Sequence, residues 1–355
     1  MFPRKSAMNT KITRMLGIKY PIVLSGMTGI STPELVAAVC NAGGLGILAT
    51  GDLSPDSLRE SIRKIRELTN KPFGANVPLL IPGADEKAHV LFEEKVPVVN
   101  YSLGKGDWIC QKVHEYGGKA IATVVNLRHA QAAERDGADA LIVTGHEAAA
   151  HGGEAASLVL VPSIADSVGI PVIAAGGFGD GRGLAAALAL GADAIAMGTR
   201  FMNTLESPVH SAVKEVSCVK TVHDTLYSDK VDGIPCRVMQ SKGATRLIKG
   251  RFILIRALWT SRAAAKSYGL PWLKLAAGIL LLAVAKGIGK AVALARLANA
   301  WGPMQQGMEY GDTENGVLML GQVTGLIEDT PAVAQLMERI VSQARECSAA
   351  LAEKV

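Results

Sequence analysis

Eight short apolar runs, each followed by a stretch with helical spacing, recur along residues 21–201, and this rhythm constrains the fold more tightly than any other feature of the chain. The runs are Pro21–Gly26, Leu45–Thr50, Pro72–Val77, Pro97–Leu103, Lys119–Val124, Ala140–Gly145, Pro171–Gly177 and Ala194–Phe201. Strands separated by helix-length segments pair in parallel, because each crossover helix returns the chain to the end where the previous strand began. Local signals agree. Thr32 and Pro33 open one helix as N-cap and first helical residue and Gly43 closes it, while Ser54-Pro-Asp opens the next. Gly137-Ala-Asp-Ala-Leu-Ile-Val-Thr-Gly145 is echoed two βα units later by Gly191-Ala-Asp-Ala-Ile-Ala-Met-Gly-Thr199, as a repeated unit requires. Eight such units close into a barrel, whereas a doubly wound sheet usually stops short of eight strands. The expected fold class is α/β: a (β/α)8 TIM barrel with an added C-terminal helical segment.

After Cys218 the rhythm stops. Thr225–Met239 reads as an extra strand or a loop, Thr245–Ala300 as helices, and Asn315–Ile327 and Pro331–Ala349 as two closing helices. This gives a barrel over 1–222, a helical insert over 223–308 and C-terminal helices over 309–355 that pack back on the barrel. The net charge of +5 conceals an asymmetry: between Ile234 and Met308 there are twelve Lys or Arg and no Asp or Glu, leaving 25 basic against 32 acidic residues elsewhere. A basic insert on an acidic body points to an anionic partner, namely a membrane surface, an acyl-CoA or a pyridine nucleotide. Nucleic acid is not expected, because the insert is aliphatic and lacks repeated aromatic stacking positions. Leu275–Ala285 is apolar and uncharged for 11 residues between Lys274 and Lys286, short of the roughly 20 that span a bilayer. It reads either as a helix packed on the barrel or in a homo-oligomer interface, or as a peripheral helix on an anionic membrane. The five scattered cysteines form no C-x-x-C pair, which fits a reducing cytoplasm better than a disulfide framework or a zinc site. The first nine residues lack the apolar core of a secretory signal.

In barrels of this kind the reacting groups come from loops after the strands, and phosphate is commonly held after strands seven and eight. Ala175-Gly-Gly-Phe-Gly-Asp-Gly-Arg-Gly183 follows strand seven and enters a helix, so unhindered backbone N–H groups and the helix dipole are available to an anion. Met197-Gly-Thr-Arg-Phe201 follows strand eight and offers a further amide pair and a hydroxyl. Glycines there also serve tight helix–strand packing, but two such turns at both expected strand ends make a phosphate cup. The loop after strand six, Thr144-Gly-His-Glu-Ala-Ala-Ala-His-Gly-Gly-Glu154, holds two of the seven histidines. His151, among small residues that admit a ligand closely, is the candidate acid/base or polar catalytic group, and His146 is the lesser candidate for that role. A metal pair is not expected, since a spacing of five does not align the two on a helix and no third ligand lies nearby.

These residues resemble the nitronate monooxygenase or 2-nitropropane dioxygenase-like FMN enzymes, a family that includes NADH:quinone reductases and flavin-dependent enoyl-acyl-carrier-protein reductases. The resemblance rests on Pro21-Ile-Val-Leu-Ser-Gly-Met27, Asn41-Ala-Gly-Gly-Leu-Gly46, Pro72-Phe-Gly-Ala-Asn76, the His151-Gly-Gly loop, Ala175-Gly-Gly177, Met197-Gly-Thr-Arg-Phe201, Gly311-Asp-Thr and Gly321-Gln322. It implies FMN as cofactor. Position by position, it implies that Gly26, Met27 and Asn76 contact the flavin ring or ribityl chain, that Gly176, Gly177, Gly198 and Thr199 hold its phosphate, and that Gln322 lies near the ring, with Thr123, Thr144, Ala149 and Met197 as further cofactor-binding residues. His151 matches the family's active-site histidine, and Thr28 joins His146 as a substrate contact. The departures are a small Ser25-Gly-Met-Thr28 after strand one, Thr at 123 where some quinone-reductase relatives carry Lys, and a long, poorly matching stretch from Asp224 to Met308. They leave the substrate open rather than the cofactor. The first reading is oxidation of alkyl nitronates with O₂ to carbonyl compounds and nitrite. The second is reduction by NADH or NADPH of a quinone, or of an activated C=C bond in a lipid-like or acyl substrate, which the basic apolar insert favours. A lipid-binding barrel without catalysis is the third.

Overall fold

The computed structural model describes residues 7–81, 83–149, 151–250, 253, 257, 272, 273 and 288–354. The apolar run Leu275–Ala285 and most of the stretch read as Thr245–Ala300 lie outside the described residues. Contacts divide the chain into two units: residues 1–146, 153–208 and 329–355, and residues 147–152 and 209–328.

In the first unit the eight apolar runs are the eight strands of a closed parallel barrel in sequential order. They are β1 (Ile22–Leu24), β2 (Leu45–Leu48), β3 (Gly74–Pro78), β4 (Val98–Ser102), β5 (Lys119–Val124), β6 (Ala140–Thr144), β7 (Val172–Ala175) and β8 (Ala194–Met197), and β8 pairs back to β1 through Val23 opposite Ala196. The strands read as continuous apolar runs because a parallel barrel buries both their faces, one under helices and one in the barrel interior. Ile47, Ile121, Ile142 and Ile173 fill that interior together with Ile12 and Leu16 of α1 (Lys11–Leu16), which places α1 at the end where the strands begin.

Outside the strands run α2 (Pro33–Asn41), α3 (Pro55–Leu68), α4 (Ala84–Glu93), α5 (Asp107–Glu115), α6 (Leu127–Arg135), α7 (Ser157–Ala165) and α8 (Gly181–Ala189), then a single turn, α9 (Thr199–Met202). The expected start signals hold: Thr32 is the N-cap of α2 with Pro33 behind it, and the Ser54 hydroxyl accepts from Ser57 N at the start of α3. One expected boundary fails. The run read as strand to Phe201 ends at Met197, because Gly198 turns the chain (φ −102°, ψ −80°) into α9.

In the second unit, α10 (Ser211–Val219) leads into an antiparallel ribbon of β9 (Thr225–Ser228) and β10 (Cys236–Met239), so the stretch read as a strand or loop is a hairpin. Helices α11 (Lys242–Lys249) and α12 (Ile288–Met308) follow. Val238, Leu247, Ala300 and Val317 meet in this unit's core. The closing helix expected over Asn315–Ile327 is only a 3-10 turn at Gln322–Leu326. Gly316 and Gly321 explain this: a Cβ on either would come within 2.4 Å of Asp312 O or 2.9 Å of Glu147 O, so the segment threads past backbone too closely for helical side chains. The second closing helix, α13 (Val333–Ala352), is present and packs in the first unit against α8 and α2. Among the described residues no helix is long and apolar enough to cross a membrane.

Candidate active site

Most residues singled out in the sequence collect at the C-terminal ends of the barrel strands. Gly26, Met27 and Thr28 follow β1, Asn76 lies mid-way along β3, and Thr123 is the penultimate residue of β5. Thr144 ends β6 with His146 two residues on, Gly176 and Gly177 follow β7, and Met197 ends β8 ahead of Gly198 and Thr199. Ala149, His151 and Gln322 belong to the second unit.

The turn after β7 is built for close approach. Gly176 and Gly177 both have left-handed φ, +101° and +81°, which glycine adopts without penalty and other residues do not. A Cβ on Gly176 would lie 3.0 Å from Ser157 Oγ, and the buried Ser157 hydroxyl is in turn within hydrogen-bonding distance of Ala175 O (3.1 Å) and Gly176 O (2.9 Å). The backbone N–H groups of Gly176, Gly177 and Gly198 make no hydrogen bond among the described residues. Half-buried amides usually find partners, so three unused donors at two adjacent strand ends fit the phosphate of a bound cofactor. The start of α8 does not contribute in the expected way. Asp180 occupies that helix end, its carboxylate accepting from Gly183 N at 3.1 Å, and Gly181 N donates to Gln343 at 2.8 Å.

Further round the rim, Asn76 ties three strand ends together. Its amide oxygen accepts from Thr50 N (3.0 Å), its Nδ2 donates to Gly26 O (3.3 Å), and its own carbonyl accepts from the Thr50 hydroxyl (2.6 Å). One N–H of the Asn76 amide is left for a ligand. Gly26 must be glycine here, since a Cβ would come 2.8 Å from Asn76 Cγ. Lys87, buried in α4, donates to Thr50 O (2.9 Å) and Gly51 O (2.8 Å), and burial draws its pKa down. The Thr123 hydroxyl accepts from buried Asn100 at 3.0 Å. His146 is held at the neck of the loop after β6, its Nδ1–H facing Gly153 O at 3.1 Å. A carbonyl only accepts, so that nitrogen carries the hydrogen.

The second unit supplies the environment of His151. His151 Nε2 lies 2.9 Å from Asp232 Oδ2, and Asp232 is buried in the turn between β9 and β10. Its other oxygen accepts from Ile234 N at 3.1 Å. The neighbouring Cys236 thiol is pushed up by burial and by the Asp232 carboxylate. An ionised carboxylate can only accept, so Nε2 of neutral His151 is the protonated nitrogen and Nδ1 is the one that can take up a proton. The same hairpin holds the rest of the segment: Tyr227 donates its hydroxyl hydrogen to Gly152 O at 2.9 Å. Buried Arg237 sits over the Tyr227 ring and is attracted to Glu147. Gln322 joins the segment through its backbone, Gln322 N donating to Glu147 O at 2.9 Å, with Gly321 tight against Ala149 N. Asp232 escaped the sequence reading because 81 residues separate it from His151. Its signal was the Asp232-Gly233 dipeptide between two short β-patterned runs, a hairpin turn.

A (β/α)8 barrel with unspent amides after β7 and β8, and with a histidine loop leaving β6, has the layout of a barrel enzyme, and those amides fit a phosphorylated ligand. The chain belongs to the nitronate monooxygenase family, whose profile matches residues 9–101 and 81–343. It is a flavin-dependent oxidoreductase acting on small-molecule substrates. Among its relatives is the (3aS,4S,5R,7aS)-5-hydroxy-7a-methyl-1-oxo-octahydro-1H-indene-4-carboxyl-CoA dehydrogenase of Rhodococcus jostii, 38% identical over 96% of both chains. A probable nitronate monooxygenase of Staphylococcus saprophyticus is 34% identical over 66% of this chain and 79% of its own. The solved structure of FabK from Thermotoga maritima superposes with a TM-score of 0.80 at 36% identity, covering 98% of this chain and all of that one.

Proposed function

We propose that the protein acts on the carbon–carbon bond next to the carbonyl of an acyl thioester, exchanging electrons with NADH or NADPH, and that FMN is held at the strand ends. One observation carries the substrate class: the indene-carboxyl-CoA dehydrogenase matches 96% of the chain, and so most of residues 209–328, whereas the staphylococcal nitronate monooxygenase matches 66%. The unit that carries Asp232 is thus shared with an enzyme of acyl-CoA chemistry. Gly176, Gly177 and Gly198 would donate their free amides to the FMN phosphate, and Asn76 would offer its remaining N–H to the flavin. FMN, when bound, supplies the two-electron exchange. His151 moves the proton: its Nδ1 takes a proton from the carbon beside the thioester carbonyl, or returns one, while Asp232 accepts from Nε2–H and so fixes the ring.

Oxidation of alkyl nitronates by O₂ is the second reading, supported by the family profile and the staphylococcal relative. Anaerobic mixing of the FMN-loaded protein with NADH, NADPH, cyclohexanecarboxyl-CoA or the nitronate of 2-nitropropane separates the two by the loss of flavin absorbance. Bleaching by a pyridine nucleotide or by the thioester is expected. Bleaching by the nitronate alone would sink the thioester reading.

A further inference from the structure

A cleft of about 770 Å³ lies within the second unit, and neither His151 nor Asp232 lines it. Its charge is set by α11. Lys242, Arg246 and Lys249 are spaced four and three residues apart, which puts them on one helix face, while Gly243, Ala244 and Leu247 turn into the unit's core. Lys220, just after α10, adds a fourth cation to the lining. Two of the four are compensated: Lys242 pairs with Glu314, which also lines the cleft, and Lys220 with Asp224 at 3.5 Å. No carboxylate among the described residues pairs with Arg246 or Lys249, and Arg246 makes only a long contact of 3.4 Å to Asn315. Uncompensated cations around one concavity repel each other and are relieved when an anion enters.

We propose that this cleft binds a phosphorylated adenine nucleotide, an adenosine that carries both a diphosphate and a ribose phosphate. This is the handle common to CoA and NADPH, and the proposal rests on the acyl-thioester reading given above. The volume falls within the range of small-molecule pockets and exceeds what a lone phosphate needs. Along the helix axis, Lys242 to Lys249 spans about 10 Å, enough to meet two separate phosphate groups, while Thr245 offers a hydroxyl between them. A lipid surface is disfavoured because an interfacial helix needs its apolar face free, and that face of α11 is buried.

Calorimetric titration of the full-length, FMN-loaded protein with CoA, dephospho-CoA, NADPH and NADH tests the proposal. CoA or NADPH should bind at least about tenfold more tightly than its counterpart lacking the ribose phosphate. Arg246→Ala/Lys249→Ala should remove at least about tenfold of that affinity, with melting temperature and flavin content unchanged because both side chains are exposed. Preference for CoA places the substrate in the cleft, and preference for NADPH places the electron partner there. Unaltered nucleotide affinity in the double variant overturns the proposal, as does a variant that loses only binding to phosphatidylglycerol vesicles. Cyclohexanecarboxyl-pantetheine, which lacks the nucleotide, separates this failure from that of the parent reading. If both proteins turn it over equally while nucleotide binding ignores the variant, only the cleft assignment falls. If nucleotide binding follows the variant but no thioester is turned over, only the substrate reading falls.

Discussion

At the scale of single residues, the hydrogen bond between His151 and Asp232 separates orientation from proton transfer. Asp232→Asn keeps the shape but presents an amide that no longer requires Nε2–H, so the wrong tautomer becomes populated. We expect roughly 10–100-fold loss in kcat with unchanged flavin content and an altered pH profile, read by steady-state assay across pH. An unaltered profile would reduce Asp232 to a structural role. Gly176→Ala places a side chain at φ +101° and against Ser157. It should cost about 1–2 kcal/mol and lower the FMN-to-protein absorbance ratio. The residues at strand ends were legible in the sequence because each lies within a few positions of a strong apolar run. Their partners were not. Asp232, Asn100 and Lys87 act across 81, 23 and 36 or more residues, and no local pattern encodes such a contact.

At the scale of elements, the strands were legible because a parallel barrel buries both faces of each and so leaves an unbroken apolar run. The turns after them were less so: Gly198 ends β8 four residues before the apolar run itself ends. The repeated Gly-Ala-Asp-Ala motif has a structural reason. Asp139 ahead of β6 accepts from Ala120 N, His114 and Lys119, and Asp193 ahead of β8 accepts from Lys11 N. Burial alone would raise the pKa of Asp139, but these donors together carry it below the ordinary carboxylate range. A folded-state value below the unfolded one stabilises at pH above the unfolded value of about 4 and is lost as pH falls through the folded one. Asp139→Asn should therefore lower the melting temperature at pH 7, by the equivalent of about 1–3 kcal/mol, and the deficit should shrink as pH falls through the folded-state value. A deficit independent of pH would contradict this. Gly181→Ala tests the seat of α13 on α8: its Cβ would come 2.4 Å from Ile340 O and Ala344 N, an overpacking cost of roughly 1–3 kcal/mol visible in thermal melts.

At the scale of the whole molecule, the basic stretch from Ile234 to Met308 contrasts with an acidic remainder, and the described part of that stretch supplies α11 and the hairpin strand behind Asp232. The charge was plain in the sequence. That its basic face would line a cleft was not, since this depends on Thr313 and Glu314 arriving from a distant segment. On the proposed function, stability also depends on cofactor supply: FMN at 100 times its Kd adds about 2.7 kcal/mol, so added FMN should raise the melting temperature of the stripped protein. Proton transfer by His151 at an acyl thioester is tested most directly by exchange in D₂O. The FMN-loaded protein should incorporate deuterium beside the carbonyl of cyclohexanecarboxyl-CoA, with exchange lost in His151→Ala and slowed in Asp232→Asn. Equal incorporation by wild type and His151→Ala, or none by wild type, would contradict it.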